Sequence, residues 1–67
     1  MNPESGKTYI AKKCCIANQP IVQIKILFET AKFYKIQQGY SVDFVSKERF
    51  KVEYELLDVI EDYQMHI

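Results

Sequence analysis

"SKERFKVEYELLDVIEDY", Ser46 to Tyr63, decides the fold, because it fits two secondary-structure patterns at once. Val52, Tyr54 and Leu56 alternate with Glu53 and Glu55, which is the period of a strand. Val52, Leu56, Val59, Ile60 and Tyr63 fall instead at the spacing of one helical face. Ser46 suits a helix N-cap, since its hydroxyl can accept a backbone N–H of the first turn. Arg49 stands where Glu or Gln would complete a capping box, so the cap is half made. We read one turn of helix over Ser46–Phe50 and then a closing strand, because the glutamates alternate cleanly and Val and Tyr suit a pleated surface. The competing α+β reading runs a C-terminal helix through residues 51–63.

Upstream, the alternation is clearer. "IVQIKILFE", Ile21–Glu29, puts Val22, Ile24, Ile26 and Phe28 on one side and Gln23, Lys25 and Leu27 on the other. "KFYKIQQ", Lys32–Gln38, places Tyr34 and Ile36 inward, and Gly39 supplies a tight turn where positive φ is free of strain. "YSVDFVS", Tyr40–Ser46, sets Tyr40, Val42 and Phe44 on one face and Ser41 and Asp43 on the other. The first strand begins near Lys7, with Tyr9 and Ala11 in one phase and Cys14 and Ile16 in another, which predicts a bulge near Lys12–Lys13. "NQP" at 18–20 breaks it as a turn. Residues 1–6, "MNPESG", read as a loose tail before a single small domain, 7–67. Five short strands and one helical turn predict a mostly β, antiparallel, SH3-like small barrel, in which closure hides the sheet edges.

Composition agrees with a folded chain. Of 67 residues, 48% are apolar and 27% charged, outside the range where chains remain disordered. So short a chain buries only about 60% of its unfolded surface, which makes pairing into a homodimer an attractive source of stability. Nine basic residues balance nine acidic ones, yet the halves differ: residues 1–36 carry six Lys against Glu4 and Glu29, and residues 37–67 hold the acidic excess. The split predicts cross-strand pairing between the halves. No apolar run approaches the roughly 18–20 residues of a membrane span, and the opening residues lack an apolar leader core, so a cytoplasmic setting with no membrane partner is expected.

Reactive chemistry is hard to find in the sequence. Cys14 and Cys15 are adjacent, so on a strand they point to opposite faces and serve neither one metal nor each other. His66 is the one histidine, too few for a zinc set or a Cys-His pair. There is no phosphate-cradling Gly-rich loop and no Ser-His-Asp set. A non-enzymatic protein without cofactor or metal is therefore expected. Without Trp, a proline-peptide groove is not expected either.

The string "FETAKFYKIQQGYSVDFVSKERFKVEYELLDV", Phe28 to Val59, resembles small SH3-like β-barrel proteins of phages and prophages of low-GC Gram-positive bacteria. The features that carry the likeness are the "KFYKI" strand, the "SKERF" corner and the final strand around "YELL". The glycine usual before the lysine strand is Ala31 here. What the resemblance implies is a phage-encoded protein that docks on a host macromolecule and inhibits or modulates it.

Two surfaces could carry such docking. The acidic half interleaves Glu53, Glu55, Asp58, Glu61 and Asp62 with Tyr54 and Tyr63 and would meet a basic host protein surface. The alternative is a nucleic-acid face, with Lys12, Lys13, Lys25, Lys32 and Lys35 beside Tyr9, Phe33, Tyr34 and Tyr40 as stacking platforms.

Overall fold

The computed structural model describes residues 2–60 and resolves the ambiguity at the end of the chain in favour of strand. The elements run β1 (Thr8–Lys13), β2 (Ile21–Glu29), β3 (Phe33–Gln38), β4 (Ser41–Ser46), α1 (Lys47–Glu53) and β5 (Tyr54–Ile60). They form a five-stranded antiparallel sheet in the order β4-β3-β2-β1-β5. Among the described residues β4 and β5 do not pair with each other, and α1 touches both. The competing C-terminal helix over 51–63 is thereby excluded across residues 54–60.

The helix is longer than the predicted single turn over Ser46–Phe50. Ser46 caps it as expected, its side chain accepting the Arg49 amide at 3.1 Å. Glu53, read from its alternation as a strand residue, belongs to the helix instead. The Arg49 guanidinium grips its carboxylate twice, at 2.9 and 3.1 Å, across one helical turn. That pair, with Phe50 buried beneath it, carries the helix through Val52 and Glu53 before Tyr54 turns extended.

One face of the sheet makes the core. Tyr9, Ala11, Ile24, Ile26, Tyr34, Ile36 and Val45 come from β1 to β4, and Phe50 reaches in from α1. Val22, Tyr54, Leu56 and Val59 pack around them. The Phe50 ring stacks on Tyr54 and tilts against Tyr34, with centroids 4.9 and 5.0 Å away. Burying such rings contributes more than any other term available to so small a domain.

Two bulges set which side chains stay out of that core. β2 pairs with β3 through Ile26↔Ile36 and then Phe28↔Lys35, so Leu27 is an extra residue. Phe28, expected on the side of Ile26, is turned to the opposite face. On β5 the register against β1 jumps from Asp58 to Leu56 between Ile10 and Ala11, making Leu57 the extra residue. The bulge expected near Lys12–Lys13 is absent: β1 stops at Lys13, and residues 14–20 form a loop, tied down by the Cys14 amide donating to the Glu53 carbonyl at 2.7 Å.

The other connections are short. Gly39 has φ of 61° in the β3–β4 hairpin, as its position requires. Between β2 and β3, the Thr30 hydroxyl accepts the Lys32 and Phe33 amides at 3.3 and 3.0 Å. This hydroxyl-closed turn leaves Ala31 with no positive φ, so alanine sits there without strain. Residues 2–6, expected as a loose tail, lie against the sheet. Pro3 is buried, the Glu4 amide donates to the Tyr9 hydroxyl at 2.8 Å, and the Gly6 amide donates to the Ile26 carbonyl at 2.7 Å.

Candidate functional site

The face opposite the core is where the sheet offers something to a partner. Cross-strand pairing sets Lys35 at its centre, with Phe28 beside it on β2 and Phe44 beside it on β4. The two rings stand on strands separated by β3, whose backbones lie roughly 9–10 Å apart. They lean over Lys35 until their centroids are 6.1 Å apart, edge to face. The Lys35 ammonium lies 5.5 Å from each centroid. At that distance each ring attracts the charge, an interaction of about 0.5–1 kcal/mol at exposed sites.

These rings are not core residues that happen to show an edge. Phe28 is 43% exposed and Phe44 59%. Phe33 shares their face, two residues before Lys35 on β3, and Val42 is exposed beside Gln37. Lys25, opposite Gln37, adds a second cation. Registers place no carboxylate at an outward position of β2, β3 or β4: Asp43 pairs with Ile36 and Glu29 with Tyr34, both on the core side. A shallow depression of about 390 Å³ continues past Phe33, between Lys32 and Lys47–Glu48.

The acidic set is divided. Glu53 is held by Arg49, and that hydrogen bond keeps its carboxyl below the usual carboxylate range. Tyr54 is half-buried on the core side, with the Lys13 ammonium 5.9 Å from its ring; burial first, then the neighbouring Glu53 charge, pushes its phenol up. Glu55 faces outward and approaches Lys12 at 3.8 Å, the expected bridge between the basic and acidic halves. Asp58 also faces outward and accepts the Val59 amide at 2.8 Å. Glu61 and Asp62 lie outside the described residues. Among the described residues of this set, only Glu55 and Asp58 share a surface.

The lysine and tyrosine set is divided differently. Lys25 and Lys35 come together as expected. Lys12 is on β1 beside Glu55, and Lys13 turns to the core side. Tyr34 and Tyr9, expected as stacking platforms, are buried, 9% and 2% exposed. Tyr34 is covered by the Lys47 ammonium, 5.1 Å from its ring, which Glu29 holds at 2.6 Å. Tyr40 stands alone at the hairpin tip, fully exposed. The exposed aromatics on the sheet are phenylalanines, and two of them, Phe28 and Phe44, were missed as site residues. The signal was legible: Leu27–Phe28 and Phe44–Val45 are adjacent apolar pairs, and only one member of such a pair can face the core of a regular strand.

A second concavity lies between β4, α1 and the start of β5. Its walls mix Lys13, Asp43, Arg49, Glu53 and Tyr54, so opposite charges face one another across it. Among the described residues no cluster of His, Cys, Asp or Glu could hold a metal ion, and no helix is long and apolar enough to cross a membrane. Cys14 and Cys15 are free thiols in the β1–β2 loop, half-buried and exposed. No family model, curated protein or solved structure matches the chain.

Proposed function

We propose that this protein is a non-catalytic binding module of SH3-like build, which acts by covering a surface of a macromolecular partner with the outer face of β2–β4. The observation that carries the reading is the Phe28–Lys35–Phe44 cluster: two half-exposed rings gathered around a cation at the middle of a sheet. Exposed apolar area of this kind is costly to leave in water and marks interaction sites when it is contiguous. The strand order, with a short helix between β4 and β5, supports the SH3-like comparison. The absence of catalysis is inferred from pairing. Among the described residues Arg49 pairs with Glu53 and Lys47 with Glu29, so these charged groups beside the two concavities are taken up by each other. The resemblance to small phage and prophage proteins makes a host-cell macromolecule the partner and host cytoplasm the setting, with inhibition or modulation as the result.

A photo-crosslinking residue at position 44, compared with one at the still more exposed Val52 on α1, tests the face. In lysate of the host cell, discrete adducts from position 44 and none from position 52 are expected. Equal adducts from both, or none from position 44, would contradict the proposal.

A further inference from the structure

Resting on that reading, we infer that the occupant of the outer face is single-stranded nucleic acid, with bases stacked on Phe28, Phe44 and Phe33 and phosphates at Lys35 and Lys25. Three features point to this occupant. Lys35 is ringed by three exposed phenylalanines, Phe28, Phe33 and Phe44, with Val42 beside them, and every base offers a π-face to such a ring whatever its sequence. The face is a flat sheet with shallow relief, which suits stacking, whereas protein partners anchor in well-formed pockets. On the strands themselves the outward charge is positive: Lys25 and Lys35 face out, no carboxylate occupies an outward position on β2, β3 or β4, and Glu48 of α1 stands only at the rim beside Phe33. A second copy of the chain fits badly, since a two-fold contact through this face would set both lysines of one copy against those of the other.

Duplex fits less well than single strand, because paired bases hide their faces from rings that lie flat on a sheet. Two cations also limit the electrostatic share. For single strands the logarithmic salt slope is about −0.7 per neutralised phosphate, so two contacts give about −1.4. A rise from about 50 to about 200 mM salt then weakens binding about sevenfold.

The test is a fluorescence-anisotropy titration of labelled oligo-dT and oligo-rU, each about 12 nucleotides long, against the same lengths of duplex. Binding of at least one single strand is expected, more tightly than duplex, with the shallow salt slope above. The ratio of dT to rU then tells whether DNA or RNA is the source. Phe44→Leu keeps apolar bulk but removes a platform and should weaken binding about fivefold or more. Lys35→Ala should lower the salt slope by about half. Val52→Ala, on α1 and 74% exposed, keeps the platforms and both lysines and serves as the folded control. Three results would overturn the inference: no binding of either single strand at about 50 mM salt, equal binding by Phe44→Leu, or duplex bound as tightly as single strand. If position 44 still crosslinks to a protein while no oligonucleotide binds, the binding module survives and the nucleic-acid occupant does not.

Discussion

The Phe50 ring lies on the Tyr54 ring with 4.9 Å between centroids and 21° between planes. Through that stack the helix is fastened to the strand that follows it, over a core to which Phe50 itself is 4% exposed. Phe50→Ala should therefore cost about 3–5 kcal/mol, enough to leave much of so small a domain unfolded. Phe50→Leu should recover part of the loss. Urea unfolding followed by circular dichroism checks both, and a cost below about 1 kcal/mol for alanine would be inconsistent with a buried anchor.

Ser46 begins the same helix. Ser46→Ala removes the acceptor for the Arg49 amide and should destabilise by about 1 kcal/mol, while Ser46→Asp should be close to neutral. The midpoint of thermal unfolding measures the difference. Equal losses for Ala and Asp would mean that the hydroxyl does not cap.

Two ionisable groups give the stability a pH signature. Glu53 is held below the usual carboxylate range by its hydrogen bond from Arg49. Its contribution is full above the unfolded value of about 4.3 and is lost as pH falls through the lower folded value. Glu53→Gln should flatten the acid limb of a stability–pH curve. Tyr54 is raised, chiefly by burial, so its contribution is full below about pH 10 and is lost as pH rises through the higher folded value. Tyr54→Phe should fall less in stability between about pH 9 and about pH 11 than the parent does. Parallel curves for parent and variant would contradict the assignment.

Thr30 closes the β2–β3 turn with its hydroxyl, which accepts the Phe33 amide at 3.0 Å. Thr30→Val should cost about 1 kcal/mol, and Ala31→Gly should not stabilise, because Ala31 has no positive φ to relieve. A gain in thermal midpoint for Ala31→Gly would refute the turn geometry.

Much of this architecture is legible before any coordinates. Period-two alternation in Tyr9–Ala11, Val22–Ile26 and Tyr34–Ile36 assigns core positions, because a strand gives its neighbours opposite faces. Gly39 and Asn18–Pro20 mark turns for steric reasons. What alternation hides is an inserted residue. Leu27 adds one position to β2, and every side chain after it changes face, so Phe28 leaves the core and joins Lys35. The helix end was hidden for a different reason. Glu53 continues a strand-like alternation in sequence, but a grip from Arg49 four residues earlier outweighs it. The candidate site was therefore half legible: Lys25 and Lys35 from their spacing, and the apolar pairs Leu27–Phe28 and Phe44–Val45 as a sign that one member of each faces out. Which member leaves the core on β2 follows only after the bulge is known.

Both the fold and the binding face require Phe28 and Phe44 to stand outside the core with Lys35 between them. The most direct measurement is side-chain NMR with a soluble paramagnetic probe. Strong broadening of the Phe28 and Phe44 ring protons is predicted, with Tyr34 and Phe50 protected, and Lys35 methylene protons shifted upfield by the two rings. Protection of Phe28 and Phe44 equal to that of Tyr34, with Lys35 at its ordinary shifts, would contradict it.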